Sequence, residues 1–182
     1  TLLKIVIEMN NDSLMVQGAG AMYATLGSIF DQTVSKFPNK EALVDLKKGQ
    51  RWTYGEWRDD VHRCANALTA AGVGKGDRVS TFLFNTSELA TTLFACAKIG
   101  AIFNPINFRL KSEEVAYILN DVRPKVVLFE EVLKDQVASI QSQFPDTQFW
   151  FINEETPFYA KNYHEEVGKA QTTSPSVVVS ES

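Results

Sequence analysis

The chain is predicted to fold as a layered α/β unit, a largely parallel sheet with helices on both faces plus a short hairpin. Three observations carry this. Apolar segments of strand length alternate with longer segments of helical period from Arg78 onward. The connections are short, which favours right-handed crossovers and a parallel sheet. The apolar run Val126-Val127-Leu128 lacks polar alternation, as in strands buried on both faces.

The elements follow in order. Residues 1–24 form a lead-in, with Gln17-Gly18-Ala19-Gly20-Ala21 read as flexible loop whose order would require docking onto the core. Ser28 through Phe37 is amphipathic, with Leu26, Ile29, Phe30, Val34 and Phe37 on one side, and Pro38 ends it. Ala42-Leu43-Val44 and Arg51-Trp52-Thr53 are the arms of a hairpin turned at Lys47–Gln50. Thr53-Tyr54-Gly55-Glu56 is a capping box, and the helix behind it carries Trp57, Val61, Cys64, Ala65 and Leu68 up to Gly72. Strands are then expected at 78–84, 101–106, 125–129 and 148–152. Helices are expected at 87–99, closed by Gly100, at 112–121, with Glu113 and Glu114 against the helix dipole, and at 131–144. One more helix follows Tyr159, and 171–182 is read as a disordered or truncated tail. The folded unit is therefore placed at 25–170.

Composition narrows the function. The 182 residues are 45% hydrophobic, with 12 Phe and 3 Trp, enough for one sizeable core. The net charge of −4 argues against a nucleic-acid binder, which needs a basic stripe. No apolar run reaches the roughly 20 residues of a membrane span, and the start is too short and too charged for a signal-peptide core, so a cytoplasmic protein is expected. Cys64 and Cys96 lack partners at metal-ligand spacing and read as buried free thiols rather than a disulfide or zinc site.

The candidate chemistry is sparse. Gly72-Val73-Gly74-Lys75-Gly76-Asp77-Arg78 leaves a helix and enters a strand, the reverse of a phosphate loop, so it reads as a turn braced by Asp77 and Arg78. His62 and His164 read as surface histidines, and the pairs Glu130-Glu131 and Glu165-Glu166 as solvated helix ends. Phe82, Phe84, Phe94 and Phe103 read as core. Asn104, Pro105 and Asn107 follow a strand at the sheet end where α/β proteins bind ligands, and they form the candidate substrate-side loop. The alternative is a turn fixed by Pro and by local Asn hydrogen bonds. No catalytic, cofactor-binding or metal-ligating residue is assigned.

Five motifs in order give a family resemblance over about residues 26–152. They are Phe37-Pro38-Asn39-Lys40-Glu41-Ala42-Leu43, Trp52-Thr53-Tyr54-Gly55-Glu56-Trp57, Gly72 to Val79, Asn85-Thr86-Ser87-Glu88, and Gly100 to Arg109. The chain resembles the N-terminal portion of the AMP-binding, adenylate-forming acyl-CoA synthetase and ligase family, departing from it at Trp57, where leucine is usual. The resemblance implies a carboxylic acid, expected to be a fatty acid, activated by ATP with Mg²⁺ and passed to coenzyme A through an acyl-adenylate. It implies also that the phosphate loop and the other catalytic motifs lie beyond Ser182. The 182 residues alone are thus expected to be inactive and to bind none of these cofactors. Two rivals are an adenylation domain of a peptide synthetase and a non-catalytic interaction module. A homodimer through an exposed apolar face is a further expectation.

Overall fold

The computed structural model describes Leu3–Ile5 and residues 25–175. Five strands, β4 (Arg78–Phe82), β5 (Ile102–Pro105), β6 (Val126–Phe129), β7 (Gln148–Phe151) and β8 (Lys161–Asn162), form one sheet in the order β5-β4-β6-β7-β8. All its pairings are parallel. A smaller antiparallel sheet joins β1 (Leu3–Ile5), β2 (Glu41–Asp45) and β3 (Gln50–Thr53). The expected hairpin is therefore the pair β2–β3, and β1 adds a third strand to it, Lys4 opposite Val44. The loop expected at Gln17–Ala21 lies outside the described residues, as does the tail from Ser176.

Burial of β6 on both sides sets the layers. Val126 and Leu128 pack with Trp150 in one core, Val127 and Phe129 with Phe149 and Phe151 in the other. The first core is roofed by α2 (Tyr54–Ala70), α3 (Ser87–Ile99) and α6 (Tyr163–Gly168), the second by α4 (Ser112–Val122) and α5 (Lys134–Ile140). A third cluster lies under α1 (Leu26–Lys36) and α2, where the rings of Phe30, Trp57 and Phe94 meet at centroid distances of 4.7–5.2 Å. Trp57 meets both phenylalanines edge-on, which is favourable beyond the area buried.

Local signals behave as the sequence predicts. Thr53 Oγ1 accepts from the Glu56 N–H and the Glu56 carboxylate accepts from the Thr53 N–H at 2.8 Å. Gly72, Gly76 and Gly100 carry positive φ of 88°, 81° and 70°, backbone that glycine adopts without strain. Asp77 accepts from the Gly74 N–H at 2.8 Å and pairs with Lys125 at 2.9 Å. Arg78 donates to the carbonyls of Val122 and Arg123, so the two residues brace the turn.

Several expectations need correction. The helix α1 begins at Leu26 with Thr25 as its cap, and Leu26 and Ile29 are exposed. Its contact face is Gly27, Phe30 and Val34, because the missing Cβ of Gly27 lets α1 approach the Ala97 carbonyl of α3. The helix expected at 131–144 is α5 flanked by 3-10 turns at Glu131–Leu133 and Gln141–Gln143. Such tightened turns give the unpaired groups of a helix end partners. His62 is buried (7% exposed), not a surface histidine, since the chain at Thr172 covers it. Glu130 is buried too (4% exposed), not a solvated helix end.

Candidate functional site

The order of strands creates a crevice. The chain leaves β4 through α3 to β5 on one side, then crosses through α4 to β6 on the other side of β4. The loops after β4 and β6 therefore diverge to opposite faces, which is the place where open α/β sheets bind ligands. A cleft of about 1020 Å³ lies beside it, over the carboxyl ends of β6, β7 and β8. Its walls come from the β2–β3 turn, the first turns of α3 and α6, and α2.

The side chains in it are positioned by capping chemistry. Thr86 caps α3 by accepting from the Leu89 N–H, which sets Ser87 and Glu88 in the first turn. Negative charge there is favoured by the helix dipole. Glu88 is 4% exposed and is paired with Lys48 of the hairpin turn, with His164 Nε2 3.4 Å from the same carboxylate. Lys48 donates also to Ser87 Oγ at 3.3 Å. His164 Nε2 lies 3.0 Å from the Ile152 carbonyl, which can only accept, so this nitrogen carries the proton. Asn162 caps α6 by accepting from the N–H groups of His164 and Glu165. Its own amide donates to the Asn153 carbonyl and Thr156 Oγ1, tying the β7–β8 loop to the floor.

Glu130 closes the crevice itself by accepting from the Phe84 N–H across it. Burial holds its carboxyl above the usual glutamate range, against the opposing pull of that hydrogen bond and of Lys47, with Glu88 adding to the rise. Asp60, on the α2 wall, is likewise raised by burial, with Arg63 opposing.

The charge of the cleft decides what it can hold. Asp60, Glu88, Glu131, Glu154 and Glu155 stand against Lys48 and His164. A triphosphate does not fit this set, because the polyanion would face carboxylates and not converging donors. Among the described residues, no group of three or more His, Cys, Asp or Glu is placed to hold a metal ion.

The candidate loop lies elsewhere on the sheet. Asn104, Pro105 and Asn107 do not line the cleft. Asn104 Nδ2 donates to Ser80 Oγ at 2.9 Å, and Asn107 Oδ1 accepts from the Arg109 N–H at 3.0 Å. Pro105 sits on the edge strand β5. Ile102 and Ile106 donate inward to Asp77 and Thr81, so an N–H at 105 would face outward, where proline removes it and blunts the edge. Sequence reasoning gave no site role to Lys48, Glu88, Tyr163 or His164, although His164 does lie at the surface as expected. The cap at Thr86 was readable in Asn85-Thr86-Ser87-Glu88, but the approach of the hairpin and α6 to it was not.

Comparison with known proteins agrees with this fold. The pattern of the family described as AMP-binding enzyme matches residues 30–180, and the chain belongs to that family. It is 35% identical over 118 residues to the long-chain-fatty-acid–CoA ligase FadD13 of Mycobacterium tuberculosis, covering 65% of this chain and 24% of that protein. It is 34% identical over 147 residues to the long-chain-fatty-acid–CoA ligase of Thermus thermophilus, covering 79% and 27%. The chain thus spans about a quarter of the length of these relatives. Among solved structures it resembles the Mycobacterium tuberculosis fatty acyl CoA synthetase, with TM-score 0.76 and 29% identity over 85% of this chain and 30% of the other. It resembles also the anthranilate CoA ligase AuaEII in complex with anthranoyl-AMP, with TM-score 0.78 and 25% identity over 84% and 29%.

Proposed function

We propose that this chain is the N-terminal α/β portion of an AMP-forming acid–CoA ligase and that its acid is a fatty acid. One observation carries the reading: the match to the AMP-binding family runs from residue 30 to 180, and the relatives are named as long-chain-fatty-acid–CoA ligases. In that enzyme an acid, ATP with Mg²⁺ and coenzyme A are the reactants, and these residues supply scaffold and wall. The acidic cleft supports the division of labour. Bringing a carboxylate to a triphosphate requires preorganised donors and cations, and the cleft offers Lys48 and His164 amid five carboxylates. The groups that hold phosphate are therefore assigned to the rest of the enzyme, and any contact of Asn104, Pro105 or Asn107 with the acid belongs to the complete protein. A cytoplasmic enzyme accords with this chemistry, and no described helix is long and apolar enough to cross a membrane.

The test is acid-dependent exchange of pyrophosphate into ATP. The product of the complete reading frame is expected to exchange with a long-chain acid, and the 182-residue chain alone to stay at background. No exchange by the complete product with any carboxylic acid would refute the ligase reading.

A further inference from the structure

The helix α6 packs on the first core through Tyr163 and Val167, and its backbone ties to the sheet are few. β8 gives it two residues of pairing with β7, Trp150 opposite Lys161 and Phe151 opposite Asn162. Tyr163 enters the core at 4% exposure, and His164 reaches the Ile152 carbonyl. Behind α6, among the described residues, no backbone–backbone hydrogen bond involves 171–175. That segment is held by side chains of α2 instead. Asn66 Nδ2 donates to the carbonyls of Gln171 at 2.8 Å and Thr173 at 2.9 Å. His62 Nδ1 donates to the Thr172 carbonyl between them at 2.8 Å. Three consecutive carbonyls are thus taken by two residues one helical turn apart on one face.

We infer that α6 is a lid on the cleft, latched shut through the strap Gln171–Thr173 by His62 and Asn66. The four cleft-lining residues Asn162, Tyr163, His164 and Val167 all belong to this unit. Its release would remove that wall, separate His164 from Glu88, and withdraw Tyr163 from Cys64 while the other five helices and the other strands stay packed. Short elements with few buried contacts are the ones that open below the global unfolding threshold. This inference is independent of the ligase reading, since it concerns motion and not chemistry.

Two buried thiols provide the readout. Cys64 lies under the lid with the Tyr163 hydroxyl as a neighbour, and burial pushes its thiol up to about 11. Cys96, on α3, is held higher still by burial, with Cys64 adding to the rise, and the hydrogen bonds of the strap go to α2, not to α3. Both are free and inert while covered. Asn66→Asp keeps size but turns the donor into an acceptor facing two carbonyls, and Asn66→Ala removes it. In the full chain, iodoacetamide labelling followed by mass spectrometry is expected to show Cys64 modified about 10-fold faster or more in either variant, with Cys96 unchanged. Hydrogen exchange of the α6 amides should rise with it, and that of the α3 amides should not. His62→Ala is expected to act in the same direction. Equal acceleration of both cysteines, which reports global loosening, or no acceleration of Cys64 would overturn the latch.

Discussion

Thr53 and Glu56 show how much one residue pair can be asked to do. Their reciprocal hydrogen bonds start α2 at the point where the hairpin ends. Thr53→Ala is expected to cost about 1 kcal/mol, read as a lowered midpoint in urea. Trp57 lies deeper, 1% exposed, with its indole N–H donating to Thr91 Oγ1 at 3.0 Å. Trp57→Ala should cost about 3–5 kcal/mol, and a loss under about 1 kcal/mol would contradict its central place in the aromatic cluster. Glu130 makes a pH prediction. Burial raises its carboxyl above the ordinary 4.5, so the folded chain holds that proton more tightly than the unfolded one. Its contribution to stability is fully present below 4.5 and is lost as pH rises through the higher folded value. Glu130→Gln keeps an acceptor for Phe84 and should flatten that decline in urea melts taken across the window. Identical pH profiles for both proteins would count against it. The Thr53 cap was legible in four letters. The burial of Glu130 was not, because it depends on a strand-end neighbour 46 residues away.

Helix and strand boundaries follow punctuation, and they are most legible in the sequence where that punctuation is chemical. α3 runs from the Thr86 cap to the left-handed Gly100, both of which have local causes. Gly100→Ala must place a Cβ at φ 70° and is expected to cost about 1–2 kcal/mol, measured against the parent by thermal melting. The reading was weaker where partners are remote. The apolar face read as Leu26, Ile29, Phe30, Val34 and Phe37 holds at Phe30 and Val34, yet the closest approach runs through Gly27, whose value is the side chain it lacks. The strand β8 has two residues and was invisible to any periodicity. The cleft itself is assembled from the hairpin turn, α3 and α6, so spacing along the chain could not reveal it. The motif Asn85 to Glu88 is one of the phrases of the family resemblance, and its Ser87 and Glu88 stand in that wall.

Taken whole, the molecule pairs three hydrophobic clusters with an acidic cleft at the carboxyl end of its sheet. Large apolar side chains also face outward, Phe158 at 98% and Tyr117 at 78% exposure. Such groups favour association, so light scattering of the 182-residue chain at high concentration is expected to report dimers or larger species. A mass that stays monomeric would argue against that. The chain belongs to the AMP-binding enzyme family, and the proposal that it is part of an acid–CoA ligase assigns the phosphate-holding groups to other parts of that enzyme. The most direct measurement is pyrophosphate exchange with ATP and a long-chain acid, run on the complete product and on the 182-residue chain side by side. The account predicts acid-dependent exchange in the first and background in the second. Exchange by the 182 residues alone would contradict it.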